Sequence, residues 1–356
     1  MITNPFGNIP EDQISAVHAL AGKTLKTGWY VKELVKAKPG STGGNFSVCY
    51  SVEKEGKEGF LKALNVMTFL RDDKPDLLEA MAEMLNTFNF EKELMTRCKN
   101  RNFSKVSRLL DADMENISGF LVANVYYMVF EKADTDVRNY LNFSNDIDFA
   151  WKLRSLHNVA TGIKQLHSID ISHQDVKPSN VFVFDNLASK LGDLGRSLCQ
   201  SLACPHSSLD FSGDRRYAPP EVFHGYALPD WKDKVFAIDC FLLGSMATYY
   251  ITGQSMTALL SQNINRHINI LTLKFENALP YWIEAFDNSI KIIENHLVDY
   301  EQKDKLIEAV KMLSYPDPSK RGHVKNILQR GNSYNMERFV EIFNLLASRA
   351  EYKITN

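Results

Sequence analysis

Residues 171–185 read ISHQDVKPSNVFVFD. Asp175, Lys177 and Asn180 fall within six residues, Pro178 stands among them, and a run of β-formers follows. Three polar side chains set directly before an apolar strand are costly to bury unless each is paired. A carboxylate can accept the proton of a hydroxyl, and a lysine beside it can neutralise charge on a transferring group. An asparagine five residues after the aspartate can turn back to hold a metal ion. Phosphoryl transfer uses such parts, because positioning and electrostatics carry most of its catalysis. A second metal ligand is then expected on a neighbouring turn, and SKLGDLGRS at 189–197 sets Asp193 between Gly192 and Gly195.

The rest of the chain frames this stretch. Its 356 residues, 44% hydrophobic and 24% charged, suffice for two modest domains or one large two-lobed one. A net charge of -2 gives no long-range pull toward nucleic acid or an anionic membrane. We therefore expect neither partner. Five scattered cysteines (Cys49, Cys98, Cys199, Cys204 and Cys240) suit a reduced, cytoplasmic protein better than a disulfide framework. Cys199 and Cys204 have no second Cys/His pair near them at zinc-finger spacing. The N-terminus lacks the basic and apolar regions of a signal peptide. The longest apolar run, VFAIDCFLLGSMATYYITG at 235–253, carries Asp239 and reads as a buried core helix. A carboxylate there must be hydrogen-bonded, which points to bracing rather than catalysis.

Residues 1–27 read as an extension with a short helix, EDQISAVHALAG. Alternation predicts strands at WYVKELV, FSVCYSVE and GFLKALNV. Leu77, Leu78, Met81, Met84, Leu85 and Phe88 predict a helix over 76–100. Strands are expected again at VSRLLDA, GFLVANV and YYMVFEKA, and mostly helix after Asp136. A β-rich part followed by an α-rich part predicts an α+β architecture of two lobes with a cleft between them, changing over near 131–136.

At this point the chain resembles the eukaryotic-type protein kinase superfamily. HQDVKPSN resembles its catalytic loop, and DLG its magnesium-binding motif. GDRRYAPPE resembles the end of the activation segment, closing on Glu221. AIDCFLLG resembles the central buried helix with Asp239, and LSYPDPSKRG the late segment whose Arg321 pairs with Glu221. Five matches in the family's order are specific together where each alone is not. The resemblance implies a small β-rich N-lobe with one main helix over 28–133, a larger helical C-lobe over 134–356, and ATP between them.

It implies roles as well. Asp175 would accept the substrate proton, Lys177 would steady the γ-phosphate, and Asn180 and Asp193 would hold Mg2+. GSTGGNFSVCY resembles the glycine-rich loop, with Gly43 and Gly44 over the phosphates and Thr42 at the family's first glycine. Lys62 would contact the α- and β-phosphates, paired with Glu91, or alternatively Glu93. Phe130 would lie behind the adenine, Glu131 to Ala133 would offer it backbone groups, and Asp136 would lie near the ribose. The implied activity is that of a serine/threonine protein kinase acting on protein substrates, with autophosphorylation included. A kinase-like scaffold and a small-molecule kinase on the same fold are the alternatives.

Departures accompany the match. Phe60 stands where the family usually has alanine under adenine, and Cys49 at its valine. Gln174 replaces an arginine that receives activation-loop phosphate, which lowers the need for such phosphorylation. Asp214 replaces a threonine that often braces the catalytic aspartate and lysine. Phosphate on the chain itself is expected on Ser197, Ser201, Ser207, Ser208 or Ser212, which lie between Asp193 and Tyr217.

Overall fold

A computed structural model describes residues 10–36, 46–70, 76–141, 148–265, 267–329 and 333–355. The chain divides into two compact units, Met1–Phe103 with Ser107–Asp134, and Ser104–Val106 with Thr135–Asn356.

The first unit is built on five antiparallel strands: β1 (Tyr30–Leu34), β2 (Ser47–Lys54), β3 (Lys57–Leu64), β4 (Leu109–Asn116) and β5 (Asn124–Glu131), in the order β1-β2-β3-β5-β4. Strand alternation sends Tyr50, Val52, Leu61, Ala63, Val125, Tyr127 and Val129 to one face. Residues from the start of the chain cover that face. Ala16, Val17, Leu20, Leu25, Trp29 and Val31 join the same core. Helix α1 (Glu11–Ile14) stops at Ser15, whose backbone is extended. The chain then pairs with Val122: Ala16 N donates to Val122 O at 3.0 Å and Val122 N to Ile14 O at 2.9 Å. The predicted single helix over 11–22 is thus broken by a main-chain pairing that helical periodicity does not reveal.

The opposite face carries Phe60 and Lys62, and helix α2 (Leu77–Asn100) lies on that side, its Glu91 bonded to Lys62. Asp76 caps α2, its Oδ1 accepting from Leu78 N at 2.7 Å and Glu79 N at 3.3 Å. The last third of the unit differs from the sequence expectation. Two separate strands were predicted over 119–125 and 126–133, where the structure has only β5. Asn116 pairs with Asn124, so the chain reverses between them, and Gly119 takes φ +94 in that turn.

The second unit is mainly helical. After β6 (Thr135–Asp136) and α3 (Val137–Leu141) come α4 (Phe149–His167), β7 (Ile171–Ser172), β8 (Val181–Val183), β9 (Ser189–Leu191) and β10 (Leu198–Cys199). Then follow α5 (Pro220–Phe223), α6 (Trp231–Thr252), α7 (Met256–Asn263), α8 (Phe275–His296), α9 (Lys303–Ser314), α10 (Val324–Ile327) and α11 (Glu337–Thr355). The apolar run at 235–253 lies within α6 but for Gly253, and Val235 and the residues from Ala237 to Tyr250 are buried. Asp230 caps its start, and Gly253, left-handed at φ +78, ends it. Strands β8 and β9 form a hairpin that carries the chain from Asn180 to Asp193.

Candidate active site

The 171–180 stretch is held by one buried carboxylate. Asp239, fully buried on α6, accepts from His173 N at 2.9 Å and Ser172 Oγ at 2.8 Å through Oδ2, and from Gln174 N at 2.9 Å through Oδ1. His167 Nε2 meets Oδ2 at 2.8 Å. Burial pushes the Asp239 carboxyl upward, but the bond from His167, that residue's charge and the Gln174 N–H outweigh it and hold it below the ordinary value. The expectation of hydrogen-bonded bracing therefore holds. His167 was missed by the sequence reading, because nothing in a helical pattern marks its last histidine as the partner of an aspartate 72 residues on.

Gln174 takes φ +64, an uncommon conformation for a side-chain-bearing residue. Its amide is engaged inside the unit, with Nε2 donating to Ser172 Oγ at 2.7 Å and Val235 O at 3.0 Å. His173 accepts from Asp175 N at its Nδ1, so its Nε2 carries the proton and donates to Gly192 O at 3.1 Å. That ring ties the loop to the residue before Asp193.

Asp175 is 7% exposed and fully engaged. Its Oδ1 accepts from Asp214 N at 2.9 Å. Its Oδ2 meets Lys177 Nζ at 2.9 Å and accepts from Asn180 Nδ2 at 2.8 Å. Asn180 Nδ2 also donates to Asp175 O at 2.9 Å. The amide nitrogen is thus spent on Asp175, which leaves the Asn180 oxygen as the donor atom a hard divalent cation takes. Gly192 N donates to Asn180 O at 2.9 Å, which sets Asp193 one residue beyond Asn180's backbone partner. Asp193 is left-handed, φ 59 and ψ 77. A Cβ on Gly192 would lie 2.1 Å from the Phe182 ring, so glycine is required for β8 and β9 to approach there.

The segment from Asp193 to Glu221 passes against this loop. A Cβ on Gly213 would lie 2.1 Å from Gln174 O, so only glycine permits the contact. Next to it Asp214 binds Arg216, with Arg216 Nε on Oδ1 at 3.0 Å and Nη2 on Oδ2 at 2.6 Å. Arg321, fully buried, grips Glu221 with two parallel bonds, Nη1 to Oε1 at 2.7 Å and Nη2 to Oε2 at 2.9 Å. Its remaining donors go to the Tyr315, Pro316 and Ala237 carbonyls, so the predicted pair exists and is sealed. The five serines divide: Ser197 and Ser212 are buried, whereas Ser201, Ser207 and Ser208 are exposed.

In the first unit Lys62 Nζ lies 2.9 Å from both Glu91 oxygens. Glu91 is 1% exposed on the packed face of α2, and Glu93, the alternative, instead bonds Arg97. Phe60 pairs across the sheet with Phe130, and Cys49 with Lys62. Glu131 is tied to Arg108 by a reciprocal pair of bonds at the end of β5, and Ala133 is partly buried. In the second unit Asp136 caps α3 through Asn139 N at 2.9 Å. Gly43 and Gly44 lie outside the described residues. Among the described residues no group of three or more His, Cys, Asp or Glu could hold a metal ion. The pair Asn180 and Asp193 fits an ion that takes one or two protein oxygens and completes its shell with phosphate and water, as Mg2+ does.

A family model described as the protein kinase domain matches residues 43–331. The chain is 26% identical over 205 residues to an Aurora kinase of Debaryomyces hansenii, covering 56% of this chain and 45% of that protein. It is 26% identical over 232 residues to the human cyclin-dependent kinase-like 2, covering 62% and 45%. It is 25% identical over 272 residues to the serine/threonine-protein kinase SSN3 of Candida albicans, covering 73% and 42%. The chain spans less than half the length of these relatives. It belongs to the protein kinase domain family, with a β-rich unit followed by a helical one.

Proposed function

We propose that the chain is a serine/threonine protein kinase that transfers the γ-phosphate of ATP to hydroxyls of proteins, its own included. The observation that carries this reading is Asp175, a nearly buried carboxylate oriented from three sides by Asp214 N, Lys177 Nζ and Asn180 Nδ2. A side chain so fixed is placed to take a hydroxyl proton as the oxygen attacks phosphorus and the bond to ADP breaks. Lys177 meets the charge on the transferred group. Lys62, oriented by Glu91, serves the α- and β-phosphates, and Asn180 and Asp193 would hold Mg2+. When bound, the ion neutralises phosphate charge. Glu131, Ala133 and Asp136 are proposed to serve the adenine and ribose. Lys177 two residues after Asp175, together with a relative named as a serine/threonine-protein kinase, supports that acceptor class. Five scattered cysteines support a cytoplasmic location.

One observation favours a second reading, a kinase-like scaffold with weak turnover. Phe60 and Phe130 face each other across β3 and β5 on the face that carries Lys62, where bulk would crowd a nucleotide base. Radiolabelled ATP with magnesium, offered with generic basic proteins, generic acidic proteins and metabolite mixtures, separates the readings. Label on serine and threonine of proteins, lost in Asp193→Ala, supports the kinase. No incorporation anywhere, with no nucleotide binding by calorimetry, leaves the scaffold. Label confined to metabolites would point to a small-molecule kinase.

A further inference from the structure

Four charges alternate in a row in the second unit: Asp175, Lys177, Asp214 and Arg216. Lys177 Nζ lies 2.9 Å from Asp175 Oδ2 and 3.5 Å from Asp214 Oδ2. Asp214 is held in turn by Arg216 through Nε, Nη2 and backbone N, at 3.0, 2.6 and 3.1 Å. The side chains of Asp175, Lys177 and Asp214 are 8, 11 and 12% exposed, so their mutual fields are weakly screened. Arg216, at 67%, is the one member in water.

This order creates a competition. Two carboxylates face one ammonium, and Asp175 holds it more closely. Asp214 is kept from taking a larger share because Arg216 already balances its charge. Burial pushes the Asp214 carboxyl upward, but the Arg216 bonds, aided by Lys177, hold it below the ordinary value, so it stays charged at neutral pH. A neutral side chain at this position would need no arginine.

We propose that Arg216 is a charge-balancing residue and Asp214 a positioning residue. While Arg216 occupies Asp214, Lys177 stays with Asp175 and remains available to an incoming phosphate. When Arg216 is withdrawn, Asp214 becomes an unbalanced carboxylate that draws Lys177 away. Arg216 lies in the segment between Asp193 and Glu221, so the clamp links the placement of that segment to the lysine of the catalytic loop.

The consequence for turnover rests on the kinase reading, but the clamp itself can be read without catalysis. Reductive methylation with formaldehyde and a hydride donor modifies neutral amines, and peptide mass spectrometry follows each lysine separately. In Arg216→Ala, labelling of Lys177 should slow by about tenfold, because the uncompensated carboxylate stabilises the ammonium. Arg216→Lys should label like wild type, since the charge is kept. Asp214→Asn with Arg216→Ala should label at least as fast as wild type. In the transfer assay, Arg216→Ala should lower kcat about tenfold with the KM for ATP nearly unchanged, and the double variant should return to the value of Asp214→Asn alone. A purely structural role would make the double variant worse than either single change. Equal labelling of Lys177 in wild type and Arg216→Ala, or no recovery in the double variant, overturns the proposal. A wild-type chain that transfers no phosphate counts against the kinase reading, and the labelling still decides the clamp.

Discussion

Residues 171–180 and residues 199–210 both belong to the second unit, and they are held in opposite ways. In the first stretch nearly every polar group is buried and bonded, with Asp239 receiving four donors and Asp175 three. In the second, Gln200, Ser201, Ala203, Ser207, Ser208, Leu209 and Asp210 are exposed, and past Cys199, which pairs with Ile171, and Gln200, whose N donates to Asp170 O, the backbone closes local turns such as Ser207 N to Cys204 O. Buried bonded groups cost their full desolvation when a partner is lost, whereas exposed groups exchange one partner for water. The first stretch should therefore be intolerant of single changes and the second permissive. The two touch where Cys199 pairs with Ile171, and beyond the second stretch the chain returns to the first at Gly213 and Asp214, which lie against Gln174 and Asp175.

The sharpest way to break this contrast is Asp175→Asn. The side chain keeps its shape but loses its basicity. Turnover should fall by roughly 10²–10⁴, the usual worth of a positioned general base, with ATP affinity hardly changed. Lys177→Met should behave alike. Transfer by Asp175→Asn at the wild-type rate would reduce the loop to a structural turn.

Next in size is the ion pair that closes the permissive segment. Glu221→Ala and Arg321→Ala each strand a buried charge, which costs about 3–5 kcal/mol. Thermal unfolding should register a large loss for both. A melting temperature within a degree of wild type in either one would mean that the pair does not anchor the segment's end.

Asp239→Asn tests the anchor of the rigid stretch. Asparagine keeps one acceptor oxygen and places an NH2 where donors already point, so at least one buried donor loses its partner, at about 1–3 kcal/mol. The pH dependence has a definite sign. A carboxyl whose folded value is lowered contributes stability that is fully present above its unfolded value near ~3.9. That stability is lost as the pH falls through the folded value. Wild type should lose stability between about pH 4 and lower pH more steeply than Asp239→Asn. Parallel pH curves for the two proteins would contradict the role given to the His167 and backbone bonds.

The smallest effects belong to the exposed serines. Ser207→Ala and Ser208→Ala should change stability by no more than about 0.5 kcal/mol. Phosphate found on the chain should map to Ser201, Ser207 or Ser208. Modification of Ser197 or Ser212 in folded protein would show that the segment opens far more than its burial suggests, since Ser212 Oγ is bonded to Arg196 O at 2.6 Å.

Much of the site was legible because its chemistry is local in sequence. Asp175, Lys177 and Asn180 fall within one turn and a hairpin of Asp193, so spacing alone suggested their joint use. The Lys62 partner was narrowed by helical phase: Glu91 shares a face with Leu94, Met95 and Cys98, and the structure pairs it with Lys62 while Glu93 turns to Arg97. What stayed hidden depends on contacts between distant residues. Nothing local to 11–22 announces pairing with Val122, and nothing local to 119–125 says that the chain reverses there rather than running on as a strand.

The sequence by itself determined the order of β-rich and helical parts, the polar groups of the loop and the burial of the 235–253 run. Periodicity and spacing are properties of neighbouring residues, and hydrophobic burial follows them. Only the tertiary structure decided which buried charges meet. Asp239 could be expected to need donors, but their identity as His167, Ser172, His173 and Gln174 follows from the packing of α6 against the end of α4 and β7. Asp214 read as a departure from a family pattern, and became an ion-pair partner of Lys177 and Arg216 only when the segment folded back onto the loop. Coulomb energy depends on separation in space and on local screening, and neither is written in the order of the residues.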